Sequence, residues 1–152
     1  MLFRSVSQSR YGEWETRVET IINELGYSTT RNNDYRWDIA VPDIGLTFEI
    51  KHDETSLRTG NYAVEFESDG KPSGIRTSLA DYWVFISSQH LCVVSKSALV
   101  RLIQSHNYRT IRLTGSKNLD NNQSYLIPCE DIIVTGKQIG RASCRERVSS
   151  PV

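Results

Sequence analysis

The chain has 152 residues and a mass of 17.3 kDa, which is the size of a single domain. Hydrophobic residues make up 38% and charged residues 24%, a composition typical of globular proteins rather than of disordered or fibrous ones. No segment approaches the roughly 18 consecutive apolar residues of a membrane span, and the N-terminal residues lack the apolar stretch of a signal peptide. The cysteines, Cys92, Cys129 and Cys144, follow no metal-ligand spacing and form no even disulfide set. We therefore exclude a secreted disulfide scaffold, a membrane protein and a zinc finger, and expect a reducing, cytoplasmic setting.

The formal net charge of zero conceals an uneven distribution. Residues 137–152 carry four basic side chains and one acidic one, which leaves 14 basic and 17 acidic side chains, or −3, in residues 1–136. Residues 139–148 have no apolar periodicity and resemble the translation, in one reading frame, of a sequencing adapter. We expect one domain over residues 1–136 and a non-native or disordered tail over 137–152. The alternative is a natural basic tail that contacts nucleic acid.

The first elements are an amphipathic helix and a hairpin. Residues 11–25 place apolar side chains at helical spacing, and Gly26 follows at the position of a helix C-terminal glycine. Residues 36–41 and 46–51 alternate in polarity on either side of residues 42–45. This pattern predicts a β-hairpin with a four-residue turn.

Strands and helices alternate beyond the hairpin. After a polar loop over 53–60, strands are predicted over residues 62–67, 81–86, 91–94, 110–113 and 124–127. A helix is predicted over 98–105, with Ser95 or Ser97 as its N-cap. A helix, three or more antiparallel strands and then mixed strands and helices predict an α+β fold around a mixed sheet.

The hairpin gathers its charged side chains on one face. With residues 42–45 as the turn, Asp38 lies opposite Glu49, and opposed residues on antiparallel strands point to the same side. Lys51 lies two residues beyond Glu49 and points that way as well. The other face is entirely apolar, so a slip of one residue would bury the charges.

Two opposed carboxylates repel each other unless positive charge lies between them. Mg²⁺ removes this repulsion, since it accepts one or two carboxylates together with waters and substrate phosphate. The Lys51 amine can orient or help to deprotonate a water at such an ion and can offset charge that builds on a phosphate. The pattern indicates metal-assisted phosphodiester hydrolysis. The alternative is a solvated strand face on which Lys51 simply pairs with Glu49.

Asp38 and Glu49-Ile50-Lys51, on a hairpin behind an acidic helix, resemble the PD-(D/E)XK nuclease superfamily. Residues 12–27 look like the first helix of archaeal-type Holliday-junction resolvases, and residues 59–83 are similar to a phage-borne branch. The likeness covers about residues 10–135. It implies a restriction-endonuclease-like α/β/α core with a mixed sheet flanked by helices, a DNA substrate, Mg²⁺ or Mn²⁺, and a bacterial or phage-infected cell.

The resemblance also implies roles for individual residues. Lys51 would position the attacking water, and the metal ligands would be Asp38, Glu49, the Ile50 carbonyl and, from the first helix, Glu15.

One departure is that Trp37 precedes Asp38, where the superfamily often has proline. The literal Pro-Asp pair of this chain places Asp43 in the hairpin turn, too close to Glu49 for the strand geometry. We therefore prefer Asp38 to Asp43 as the ligand.

Further residues are candidates for contacts around the site. Phosphate contacts are expected from Arg31, Arg36, Arg58, Lys71, Ser73 and Arg76, with Gly74 allowing close approach. Glu65 and Glu67 alternate with apolar residues and are expected to point to one side of their strand, where one of them, with Glu67 preferred, would be an accessory acid. The alternatives are a plain turn and a solvated strand face.

The sequence thus predicts a metal-dependent DNA nuclease, and specifically an endonuclease. A homodimer is expected if the target is a branched junction. One rival is a catalytically silent nuclease fold that binds DNA or protein. Another is a phage assembly or interaction protein with a coincidental motif, in which Asp38→Ala would stabilise the fold by removing a repulsion.

Overall fold

The computed structural model describes residues 12–32, 36–114 and 121–135, so the expected tail over 137–152 and Cys144 lie outside the described residues. The fold is α+β, as predicted. Its helices are α1 Glu13–Glu24, α2 Thr55–Thr59, α3 Lys96–Ser105 and α4 Cys129–Thr135. Its strands are β1 Thr30–Arg31, β2 Ile39–Val41, β3 Leu46–His52, β4 Asn61–Ser68, β5 Lys71–Pro72, β6 Tyr82–Ile86, β7 Leu91–Ser95, β8 Thr110–Thr114 and β9 Asn121–Pro128. No described helix is both long and apolar enough to cross a bilayer.

The strands form two sheets. The first has the order β1-β2-β3-β6-β7 and is mixed, because β3 and β6 run parallel while its other pairs are antiparallel. The second has the order β5-β4-β9-β8 and is antiparallel throughout.

The strand predicted over residues 62–67 does not lie in the sheet of the hairpin. This strand, β4, pairs with β9 in the second sheet. The predicted loop over 53–60 contains α2, and the Asp53 carboxylate accepts from the N–H groups of Ser56 at 2.9 Å and Ala63 at 3.3 Å. Asp53, one residue after β3, is thus bonded both to α2 and to β4.

The hairpin has the predicted register and turn. Ile39 pairs with Phe48 and Val41 with Leu46. The turn is a 3₁₀ turn over Pro42–Ile44 that ends at Gly45, whose φ of 65° is the left-handed conformation that glycine adopts without strain. The alternation of polar and apolar residues was sufficient to fix this register because the apolar side of the hairpin is buried.

Helix α1 ends as its sequence predicts. Gly26 has φ of 93° and donates to the Asn23 carbonyl at 2.9 Å, while Tyr27 donates to the Ile22 carbonyl at 3.3 Å. These two hydrogen bonds are those of a Schellman motif, which satisfies the last carbonyls of a helix.

Two cores lie on opposite faces of the first sheet. One lies under α1 and contains Val18, Ile39, Val41, Phe48, Ile50, Val84, Ile86 and Val93. The other lies against the second sheet, α3 and α4, and includes Val64, Trp83, Phe85, Leu99, Ile127 and Ile132. Glu49 pairs with Trp83 across the parallel strands, so Glu49 and Lys51 point to the side of the second core.

Candidate active site

Asp38 lies at the edge of β3, one residue before β2 begins. Its backbone N–H donates to the Phe48 carbonyl at 2.9 Å, and its carboxylate Oδ2 accepts from the Ile50 N–H at 2.7 Å. In a strand the N–H and C=O of one residue point to the same edge. The Ile50 carbonyl is therefore directed to the edge where the Asp38 carboxylate lies.

Glu49 and Lys51 form a close ion pair on the same face. Glu49 is 9% exposed, and its Oε1 lies 2.7 Å from the Lys51 Nζ. The Lys51 Nζ also lies 5.3 Å from the centre of the buried Trp83 ring, a cation–π distance. The amine thus lies between a carboxylate and an aromatic face, while the Lys51 side chain remains 36% exposed.

The environment of Glu49 disfavours its negative charge. Burial raises the pKa of the Glu49 carboxyl, and the neighbouring charges of Asp38 and Glu65 raise it further, while Lys51 lowers it. The net direction is upward. The single positive charge of Lys51 does not offset the negative charges of these acids. A second positive charge nearby would favour the ionised form of Glu49.

Glu65 and Glu67 do not point to one side of their strand, as we had expected. A bulge in β4 shifts the pairing so that Glu65 lies opposite Ser124 and Glu67 opposite Gln123. Because Ser124 and Gln123 are consecutive, their partners point to opposite faces. Glu67 accepts from the Gln123 amide at 2.8 Å and lies 3.7 Å from Arg76. Of the two acids, Glu65 is the one whose charge acts on Glu49.

Glu65 is fixed by the segment that follows β5. Its Oε1 accepts from the Ser73 hydroxyl at 2.6 Å, and its Oε2 accepts from the Asn122 amide at 3.1 Å. Gly74 has φ of 52°, and a Cβ placed there would lie 2.1 Å from the Glu65 carbonyl oxygen. The close approach expected of Gly74 is therefore made to the backbone of β4.

Glu15 lies on α1, on the side of the first core. It precedes the buried Val18 by three residues, so both side chains share one helix face. The Glu15 Oε2 is buried and has no hydrogen-bond partner among the residues that the structure describes. Within residues 12–32, 36–114 and 121–135, no three His, Cys, Asp or Glu side chains are grouped to hold a metal. The structure brings Asp38 and Glu49 together with Lys51 but does not add Glu15 to them.

Most of the candidate phosphate contacts already have partners within the chain. Arg31 bonds Glu19 and Thr16, Arg36 lies 5.0 Å over the Trp37 ring, and Arg76 lies 4.7 Å over the Phe66 ring. Lys71 and Arg58 are exposed and form no ion pair with any described residue.

No family model, curated protein or solved structure matches the chain. The functional interpretation therefore depends on the residues of the site and their geometry.

Sequence reasoning missed two features of this site. The contact between Lys51 and Trp83 arises from a parallel pairing of strands about 30 residues apart, which no local pattern reveals. The selection of Glu65 over Glu67 depends on the β4 bulge, and a bulge at a non-glycine residue carries no clear sequence signal.

Proposed function

We propose that the protein is a metal-dependent DNA nuclease, specifically an endonuclease of the PD-(D/E)XK type. The observation that supports the proposal is the proximity of three side chains at the edge of β3: Asp38 accepts from the Ile50 N–H, its charge acts on Glu49, and Glu49 pairs with Lys51. The first sheet is mixed and has α1 on one face, which is compatible with a restriction-endonuclease-like α/β/α core. The second sheet contributes to the other layer together with α3 and α4.

The donor set fits a hard divalent cation. Asp38 and Glu49 supply carboxylate oxygens, and the Ile50 carbonyl is directed to the same edge. Mg²⁺ needs only one or two protein carboxylates, because waters and substrate phosphate complete its coordination. The raised pKa of Glu49 also favours an added positive charge at this edge.

Each residue of the site would have a separate role in phosphodiester hydrolysis. Bound Mg²⁺ or Mn²⁺ would supply Lewis-acid polarisation of the scissile phosphate. Asp38, held by the Ile50 N–H, and Glu49 would hold the ion against β3. Lys51, turned from Glu49 toward the substrate, would hold the attacking water and stabilise charge on the phosphate. Among the candidate phosphate contacts, Lys71 and Arg58 are exposed without an ion pair to a described residue and would contact the DNA backbone.

A catalytically silent nuclease fold that binds DNA or protein is the second candidate. One observation favours it: Lys51 and Glu49 form an ion pair at 2.7 Å. The alternative of a solvated strand face predicts the same pair. The two candidates differ in whether divalent metal produces cleavage.

The test is a cleavage panel on the full chain with single-stranded, duplex, flap and four-way-junction DNA, each with Mg²⁺ and with Mn²⁺. We expect cleavage of at least one substrate, and a roughly 10²- to 10³-fold loss of rate in Lys51→Ala. Asp43→Asn is the matched control, because Asp43 is the literal Pro-Asp acid in the turn and should leave the rate unchanged. Absence of cleavage with either metal, or full activity of folded Lys51→Ala, would contradict the proposal. If the chain prefers the four-way junction, we also expect it to act as a homodimer.

A further inference from the structure

The apolar stripe of α1 is only half covered by the fold. The N-terminal half is packed, with Trp14 stacked on His52 at 4.0 Å and Val18 buried in the first core. The C-terminal half is open, and Ile21 and Leu25 are 39% and 61% exposed. The helix therefore presents more apolar surface than its contacts in the described part of the chain use.

This open half borders a groove between α1 and the first sheet, which we call the α1 groove. Its volume is about 240 Å³, and all its lining side chains are apolar or aromatic. Four of the five exposed large hydrophobic residues among the described residues border it: Ile21, Leu25, Tyr27 and Ile44. Single exposed apolar residues are ordinary on protein surfaces, but a contiguous patch of them marks an interaction site.

The C-terminal end of the α1 groove is acidic. Glu24 precedes the lining residue Leu25, and Asp43 precedes Ile44. Asp43 accepts from the Ser28 N–H at 3.4 Å, which brings the hairpin turn beside the end of α1. The last turn of α1 contains no basic residue, so the negative end of the helix dipole adds to these two carboxylates.

This charge distribution argues against a second copy of the chain as the occupant. In a two-fold contact centred on the α1 groove, the acidic end of one protomer would lie over the apolar lining of the other, which supplies no cation for Glu24 and Asp43. Carboxylates that an interface covers without an opposite charge oppose association. A segment with apolar side chains for the groove and a cation for its acidic end meets both requirements.

We propose that the α1 groove binds a basic amphipathic helix of a partner protein. The helix would insert apolar side chains spaced i, i+3/i+4 and i+7 beside α1, and its Lys or Arg residues would lie near Glu24 and Asp43. Such a surface would deliver the chain to a partner without using the proposed nuclease site, because the groove lies on the face of the sheet opposite Glu49 and Lys51.

The test measures binding of synthetic helical peptides to the full chain by fluorescence anisotropy. One labelled 14-residue peptide carries leucines at helical spacing with lysines on its polar face, and a second replaces the lysines with glutamates. We expect the lysine peptide to bind at least tenfold more tightly than the glutamate peptide. We also expect the double change Glu24→Gln and Asp43→Asn to weaken the lysine peptide about fivefold.

Leu25→Gln and Leu79→Gln form a matched pair, because both leucines are 61% exposed and only Leu25 borders the groove. We expect Leu25→Gln to weaken the lysine peptide about tenfold and Leu79→Gln to leave its affinity unchanged. Equal binding of the two peptides, no binding at millimolar concentration, or equal effects of the two leucine changes would overturn the proposal. Dimerisation in light scattering that Leu25→Gln alone abolishes would overturn it too, by showing that the occupant is a second copy.

Discussion

Asp38 has two roles that different substitutions separate. Its charge belongs to the candidate metal site, and its Oδ2 accepts the Ile50 N–H at 2.7 Å. If the motif were coincidental, Asp38→Ala would be expected to stabilise the protein by removing a repulsion. The hydrogen bond weakens that test, because alanine also leaves the Ile50 N–H without its acceptor, at a cost of about 1 kcal/mol. Asp38→Asn retains an acceptor oxygen and removes only the charge.

At Glu49 we predict a pH-dependent penalty on stability in the metal-free protein. Burial raises the pKa of Glu49 in the folded state, so over the range above its ordinary value the folded state binds more protons than the unfolded state. Stability contributed by this group therefore falls as pH rises through that range. Glu49→Gln lacks this titration. The unfolding free energy of the variant minus that of the unchanged protein should therefore increase from pH 4 to pH 8.

Urea denaturation in the presence of a chelator at several pH values measures this difference. The ion pair with Lys51 requires an ionised Glu49, so its effect is already included in the upward direction of the Glu49 pKa, and the slope is the readout. A difference that stays constant or declines toward pH 8 would show that Glu49 is not held in an unfavourable environment.

At Gly74 we predict strong destabilisation by alanine. The residue has φ of 52°, and a Cβ would meet the Glu65 carbonyl oxygen at 2.1 Å, so both the backbone and the packing must adjust. Gly74→Ala should lower the unfolding free energy by about 2–4 kcal/mol. Gly70→Ala is the control, since Gly70 also has positive φ but has open space around it; its cost should be about 1 kcal/mol. Equal midpoints of the two variants in urea would disprove the close contact.

At the scale of elements, the sequence predicted those features that depend only on residues close together in the chain. The hairpin register followed from alternation, since one buried face excludes a slip. The end of α1 followed from Gly26, because glycine adopts without strain the positive φ at which the helix ends. The β4 bulge was missed because it depends on how β4 and β9, which lie more than 50 residues apart, adjust to each other.

The N-cap of α3 was left open between two serines, and the structure selects Ser95. Its Oγ accepts from the Ala98 N–H at 3.2 Å, and its backbone is extended, as an N-cap requires. Ser95→Ala should therefore cost about 1 kcal/mol, whereas Ser97→Ala should change stability by less than about 0.5 kcal/mol. Thermal or urea unfolding of the two variants distinguishes them, and a larger loss in Ser97→Ala would reverse the assignment.

At the scale of the whole molecule, the division into two sheets was beyond local sequence reasoning. The pairing of β4 with β9 and the parallel pairing of β3 with β6 join segments far apart in the chain. Consequently Asp38, Glu49 and Lys51 were predictable as a group from one hairpin, but their neighbours Trp83 and Glu65 come from other strands and were not. The α1 groove was unpredictable for the same reason, since it depends on how completely α1 covers the sheet.

The most direct test of the site is titration of the full chain with Mn²⁺, followed by electron paramagnetic resonance of the free ion. If Asp38 and Glu49 hold a metal against β3, the chain binds Mn²⁺, Asp38→Asn and Glu49→Gln each weaken binding at least tenfold, and Asp43→Asn binds as the unchanged chain does. Mn²⁺ affinity that is absent, or that Asp38→Asn leaves intact, would contradict the account.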